Sequence, residues 1–124
     1  MNDHELKSER RRQKALERLG ANNPRCIFCP CDDPLALELH HIAGRGYDGG
    51  LVIVCRNCHR RLSDAQKDHP PASSDPPSDA ERIAHFLLGL ADLFELLVKR
   101  LREFATKLFA MDRPSQDQSG EAQP

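Results

Sequence analysis

Two pairs of cysteines with CxxC spacing constrain this chain more than any other feature of its sequence. Cys26 and Cys29 form the first pair, and Cys55 and Cys58 form the second after the 25 residues from 30 to 54. Each pair can direct two thiolates at one ion, and two such pairs complete the tetrahedral shell that zinc prefers. The chain has five cysteines, an odd number that fits a disulfide framework poorly. The pattern predicts a structural zinc site closed by four sulfurs, with Cys31 as a spare thiol or as a replacement for Cys29.

The length of the chain allows one small domain with an appendage. Its 124 residues, of which 39% are hydrophobic, cannot build two full cores, so a large multi-substrate enzyme is excluded. A core this small is stabilised when a zinc ion links segments that are distant in sequence. The alternative, in which the cysteines are simply buried apolar residues, requires chance to have paired four of the five.

Charge is distributed unevenly along a chain whose net charge is only −1. Residues 1–20 hold six bases and four acids, residues 21–67 hold six and five, and residues 68–124 hold six and ten, giving +2, +1 and −4. Any attraction to nucleic acid must therefore come from the first half of the chain, because the last half is acidic.

The order of helical and extended patterns predicts an α+β fold that begins with a basic helix. This first segment, residues 1–24, is rich in helix-forming residues over Asp3–Leu19, and Gly20 follows as a C-cap. Its six bases are typical either of an ordinary solvated helix or of an arm that contacts phosphate.

A compact core is expected in residues 25–67. Alternating leucines predict a strand over 35–42, and an apolar run predicts a second strand over 51–54 after the glycine-containing loop 43–50. A short helix is expected over 60–66, directly after the second cysteine pair. The core is therefore two strands and a helix held by zinc.

The second half of the chain is predicted to be a linker, a long helix and a disordered tail. Residues 68–77 are rich in proline and serine, which favours an extended linker. Ser78 and Glu81 match a capping box at the start of an amphipathic helix over 78–111. The polar residues 112–124 are expected to be disordered.

The long helix carries an apolar seam at alternating steps of four and three residues, which is the heptad pattern of helix association. The seam comprises Ile83, Leu87, Leu90, Phe94, Leu97, Leu101, Phe104 and Leu108. Its partner would be its own copy in a homodimer, the N-terminal helix, or another protein. We favour the homodimer, because a helix of about 30 residues is about 45 Å long and exceeds the small core.

No segment of the sequence is long and apolar enough to span a membrane, and the N-terminus has no apolar stretch typical of a secretory signal. A cytoplasmic protein with reduced thiols and no membrane partner is therefore expected.

Three histidines lie beside these motifs. His40 and His41 end the first predicted strand, and His59 follows Cys58. The ordered combination of CxxC, Leu39-His40-His41-Ile42, a glycine-containing loop and Leu51-Val52-Ile53-Val54-Cys55-Arg56-Asn57-Cys58-His59 resembles the zinc-bearing HNH endonucleases, over about a third of the chain. The resemblance implies a ββα-metal core, similar to a treble clef. The predicted N-terminal helix and the long amphipathic helix flank this core.

The resemblance also implies an activity, namely metal-dependent hydrolysis of DNA phosphodiester bonds. His40 and His59 would hold a divalent ion, Mg²⁺ or Mn²⁺, and His41 would be the general base that accepts a proton from water. A neutral imidazole suits that role near neutral pH. Gly50 stands where the family usually has the Asn that ties the loop together. A non-catalytic zinc treble clef that binds nucleic acid or a protein partner is therefore the alternative.

Four arginines are candidates for contacts with DNA phosphates, because the guanidinium fork can donate two hydrogen bonds to one phosphate. They are Arg45, Arg56, Arg60 and Arg61. In the alternative interpretation, the last two only cover a solvated helix face.

Overall fold

The computed structural model describes residues 2–47 and 49–113, and within them it shows three helices and one two-stranded antiparallel sheet. The α+β class predicted from the sequence is confirmed at this level. The elements are α1 (Asp3–Leu19), a 3₁₀ turn (Pro34–Ala36), β1 (Leu37–His41), β2 (Leu51–Cys55), α2 (Arg56–Gln66) and α3 (Asp79–Asp112).

Helix α1 has the predicted bounds because both of its ends are capped. Asn2 and Glu5 form a capping box, in which the Asn2 side chain accepts a hydrogen bond from the Glu5 amide. Gly20 ends the helix at φ +69°, a left-handed conformation that glycine adopts without strain. Ala15 and Leu19 are buried, whereas the basic residues remain outside. One short apolar edge therefore holds the helix on the core.

Strand β1 is shorter than predicted because the chain turns before it. The Asp33 side chain accepts a hydrogen bond from the Leu35 amide and caps the 3₁₀ turn, so Leu35 does not join the strand. Strand β2 runs one residue further than predicted, and Leu37 pairs with Cys55. This register brings the second cysteine pair beside the start of β1.

One small core lies between the sheet and the three helices. Leu37, Val54, Cys58 and Leu62 are at most 2% exposed. The core also contains Leu19 from α1, Phe28 from the first cysteine turn, and Leu93 and Leu96 from α3. The four paired cysteines and the apolar residues are thus parts of one cluster.

Helix α3 packs on this core with a face that differs from the predicted seam. Gly89, Leu93 and Leu96 are buried, and Gly89 allows the helix backbone to contact the carbonyl group of Ile42. Most residues of the seam lie on the exposed side of the helix. The capping box at Ser78 is present, and the helix ends at Asp112, one residue beyond the predicted end. The predicted tail lies, from residue 114 onward, outside the described residues.

The predicted linker contains no helix or strand, but it is fastened to α3. His69 donates from Nε2 to the Asp92 carboxylate at 2.7 Å. His85 approaches the Pro70 carbonyl oxygen with Nε2 at 2.7 Å and the Glu81 carbonyl oxygen with Nδ1 at 2.8 Å. The linker therefore folds back along the first turns of the long helix.

Candidate zinc centre and basic cleft

The four paired cysteines come together at one point. The sulfur atoms of Cys26, Cys29, Cys55 and Cys58 all lie within 4.8 Å of one another. In a tetrahedral site with zinc–sulfur bonds of about 2.3 Å, the sulfurs are about 3.8 Å apart. The group can therefore hold a zinc ion with small adjustments. Cys31 is not a member, which decides between Cys29 and Cys31 as the ligand.

The turns that carry these cysteines direct backbone amides at sulfur. The Phe28 amide donates to Cys26 Sγ at 3.4 Å, and the Cys58 amide donates to Cys55 Sγ at 3.5 Å. Cys55 is also the N-cap of α2, where the helix dipole favours negative charge. Both features stabilise thiolates, which are the form that binds zinc.

Burial has the opposite effect on the thiols of this group. It raises the pKa of Cys29 to about 11 and that of Cys58 to about 12. These two sulfurs therefore hold their protons at neutral pH until a cation displaces them.

Arg100 of α3 reaches the sulfur group from outside. Its Nη2 donates to Cys58 Sγ at 3.7 Å, and its Nη1 donates to the Glu103 carboxylate at 2.7 Å. Both contacts, first that with Glu103 and then that with Cys58, raise the pKa of the guanidinium. A zinc ion with four thiolates has a net charge of −2, which this cation partly offsets. The long helix is thus linked to the four-cysteine group by a hydrogen bond from a cation as well as by packing.

A second group of polar side chains joins β1 to α2. The rings of His40 and His59 lie edge to face, with centroids 5.3 Å apart. His59 donates from Nδ1 to Glu38 Oε1 at 2.8 Å. Because a carboxylate only accepts hydrogen bonds, Nδ1 carries a hydrogen, and in the neutral ring the lone pair on Nε2 is then the one that can bind a metal ion. Glu38 precedes His40 by two residues, so the two side chains share one face of the strand.

His40 is neutral and enclosed in this arrangement. Only 1% of the residue is exposed. Burial chiefly, together with the nearby His59 and His41, lowers its pKa to about 4. The imidazole therefore has a lone pair available at neutral pH, although solvent does not reach it freely.

Gln66, the last residue of α2, ties the end of β1 to the helix. Its amide Nε2 donates to the carbonyl oxygen of His41 at 2.8 Å and to that of Ile42 at 3.3 Å, and it lies 3.5 Å from His40 Nε2. Gly50, where the resemblance leads one to expect Asn, has φ +91°, which favours glycine. A side chain from α2 thus holds the end of β1 in place.

His41 is placed differently from the other two histidines. It is half-buried at the last position of β1, opposite Leu51. Successive residues of a strand face opposite sides, which puts His41 across the strand from Glu38 and His40. Among the residues that the structure describes, no ring contact joins His41 to His59.

Beside His59 and Glu38 lies a cleft of about 880 Å³ whose walls are mainly basic. Three of the four predicted phosphate-binding arginines line it, and Arg100 and Lys67 add two further cations. Arg56 is held at the rim by the Leu35 carbonyl oxygen, to which it donates at 3.1 Å. The lining residues are Glu38, Arg56, Asn57, His59, Arg60, Arg61, Ser63, Asp64, Lys67 and Arg100.

Arg45 is not part of this cleft. It lines two smaller hollows beside the linker, one of which it shares with Tyr47, His69 and His85. Tyr47 and His85 are stacked there, with ring centroids 4.1 Å apart. The candidate phosphate contacts are therefore divided between two places on the surface.

Three residues of the site were missed by the sequence analysis, namely Glu38, Gln66 and Arg100. Glu38 had a detectable signal, because it lies two residues before His40 and so shares its strand face. Gln66 and Arg100 had none, since their partners are 25 and 42 residues away in the sequence.

Comparison of the chain with protein family models, with curated proteins and with solved structures finds no match. Within residues 2–47 and 49–113, none of the helices combines the length and the apolar character required to cross a membrane. The structure therefore defines a small α+β fold with a four-cysteine group that can hold a metal ion.

Proposed function

We propose that this chain is an HNH-type metal-dependent endonuclease that hydrolyses phosphodiester bonds in DNA. The observation that carries the proposal is the contact between His40 and His59 next to the arginine-lined cleft. An imidazole from a strand and one from a helix are suitable ligands for one divalent ion.

In this proposal the four cysteines hold a structural zinc ion, and His40 and His59 hold Mg²⁺ or Mn²⁺. Glu38 orients His59 and leaves its Nε2 free to bind the ion. When bound, the divalent ion supplies Lewis-acid stabilisation of the charge that develops on the scissile phosphate and the leaving oxygen. Mg²⁺ keeps several water ligands, so two protein ligands are compatible with it.

The protein groups around this position have separate tasks. Arg56, Arg60 and Arg61 bind the phosphates of the DNA backbone and hold the strand along the cleft. His41 is the general base that accepts the proton of the attacking water. Because His41 lies across the strand from His40, this role requires the strand end to twist or bulge so that the ring reaches the attacking water.

The test is a plasmid-nicking assay with zinc-loaded protein and Mg²⁺ or Mn²⁺. We expect wild type to relax supercoiled plasmid and His41→Ala to be slower by at least about 100-fold, the contribution of a general base. His4→Ala is the matched control, because His4 is exposed on α1. Equal rates for wild type and His41→Ala, or no cleavage by either, would reject the catalytic assignment.

A second candidate is a zinc module that binds nucleic acid without cutting it. The burial of His40, which limits the access of a hydrated ion, favours this candidate. Both candidates use the basic cleft, so both predict that Arg60→Ala combined with Arg61→Ala weakens DNA binding and reduces its salt dependence. Only the nuclease predicts nicked product.

A further inference from the structure

The outer face of α3 is a continuous apolar surface on a protein with a small core. Between 38% and 78% of each of its larger residues is exposed. Such a surface on a water-soluble helix marks a contact with another polypeptide. The exposed residues are Ile83, Leu87, Phe94, Leu97, Leu101, Leu108 and Met111.

We propose that this surface pairs two copies of the chain, with the α3 helices antiparallel and related by a two-fold axis. The axis passes between Glu95 and Leu96, the midpoint of the helix Asp79–Asp112. In a two-fold interface, residue i of one copy contacts residue j of the other and the reverse contact also forms.

The spacing of the seam fits this symmetry. Residues at equal distances on either side of the midpoint are both seam residues, so each layer of the antiparallel pair joins two apolar side chains. The four layers are Phe94 with Leu97, Leu90 with Leu101, Leu87 with Phe104, and Ile83 with Leu108. The pairing therefore runs from the first residue of the seam to the last, with Leu90 also packed against the core of its own chain.

Charge complementarity selects the antiparallel arrangement over the parallel one. Asp92 and Arg100 contact their own chain. Without these two, residues 79–95 carry three acids and one base, and residues 96–112 carry three bases and two acids, so the halves have net charges of −2 and +1. Antiparallel pairing places the acidic half of one helix against the basic half of the other. Parallel pairing places the two acidic halves together and the two basic halves together, and this like-charge repulsion is unfavourable.

Small side chains beside the seam allow the second helix to approach closely. Ala84, Ala91 and Ala105 lie at multiples of seven residues on one border of the seam, with the larger Val98 between the last two. Interaxial distances between packed helices depend on the side chains at the contact, and small ones permit the shorter distances. The opposite border, at Leu93, is used by the core of the same chain. The partner therefore docks from the side that the core leaves open.

The first experiment measures the mass of the full, zinc-loaded chain by light scattering over a concentration series. We expect a dimer of twice the 14.0 kDa chain mass. Leu101→Asp should raise the dimer dissociation constant by at least about tenfold. Thr106→Asp, a matched change on the exposed side of α3 away from the seam, should leave the mass unchanged. A wild-type monomer at all concentrations, or an equal effect of both changes, overturns the proposal.

A second experiment tests the orientation of the helices. Ile83→Glu and Leu108→Lys should each weaken the dimer, and the double variant should restore it, because the antiparallel layer joins the two new charges. In a parallel pair the same double variant joins like charges and remains weak. Failure of the double variant to recover overturns the antiparallel arrangement. One zinc ion per chain in every variant shows that the core is intact. These readouts are independent of cleavage.

Discussion

Gly89 of α3 lies against the carbonyl group of Ile42, the residue that follows the last residue of β1. A methyl group on Gly89 would overlap the Ile42 carbonyl oxygen. The long helix therefore meets the strand end that carries His40 and His41 through backbone contact. This contact explains why a glycine stands in the interior of a helix, where it costs about 1 kcal/mol relative to alanine.

Gly89→Ala should destabilise the protein although alanine is the better helix former. The added methyl group forces α3 away from Ile42, and overpacking of this kind costs about 1–3 kcal/mol. Urea unfolding of the zinc-loaded protein would measure the loss in free energy of unfolding. An increase in stability of about 1 kcal/mol, the value expected from helix propensity alone, would show that α3 does not rest on this carbonyl group.

Cys58→Ser should remove the zinc ion, because Cys58 is one of the four clustered sulfurs and is fully buried. Metal analysis is expected to give one zinc ion per wild-type chain and markedly less for the variant, with loss of cooperative unfolding. Cys31→Ser is the matched control and should retain its zinc, since Cys31 lies outside the sulfur group. Loss of zinc from both variants, or from neither, would contradict the assigned ligand set.

Arg100→Leu should weaken zinc binding although Arg100 is not a ligand. The substitution removes the hydrogen bond to Cys58 Sγ and the cation that offsets the charge of the centre. Changes at groups around a metal site typically reduce affinity by about 10–100-fold. Competition with a chromophoric chelator measures this affinity. Arg102→Leu, an exposed position on the same helix, should behave as wild type. Equal zinc affinity in both variants would show that Arg100 does not stabilise the bound zinc ion.

His40 should make the stability of the protein fall in mild acid. Its pKa is lowered from 6.5 to about 4 in the folded state, chiefly by burial, so the unfolded chain binds the proton more readily. The contribution of neutral His40 is therefore present above about pH 6.5 and is lost as the pH falls to about 4.

The pH dependence can be isolated with His40→Gln, which has no titrating group. Between pH 7 and pH 5, wild type should lose about 2 kcal/mol more of its free energy of unfolding than the variant. The comparison cancels the loss of zinc affinity in acid, which both proteins share. Parallel stability curves would show that His40 is not held neutral by burial.

Helices α1 and α3 and the four-cysteine group were predictable because their signals are local, whereas α2 begins at Arg56, four residues before its predicted start. The cap residues Asn2, Gly20 and Ser78 act within one helical turn, and they set helix ends that agree with the prediction within one residue. The four sulfurs were predictable from CxxC spacing, since each pair is brought together by one tight turn.

The remaining features depend on tertiary contacts that local patterns do not encode. Arg100 reaches Cys58 across 42 residues of sequence. The seam of α3 was correctly read as apolar, but a heptad pattern does not state which side of the helix meets the core. Gly89 determines which side of α3 packs on the core, because only a glycine allows the helix to approach Ile42.

The central claim is that His40 and His59 hold the divalent ion required for DNA cleavage. The rate of plasmid nicking over a series of Mn²⁺ concentrations tests this claim most directly. Wild type, His59→Ala and the control His4→Ala would be compared as zinc-loaded proteins. The account predicts saturable activation of wild type and of the control. It predicts at least about a tenfold higher Mn²⁺ requirement, or no activity, for His59→Ala. The same Mn²⁺ dependence in all three proteins, or no metal-dependent nicking by wild type, would contradict it.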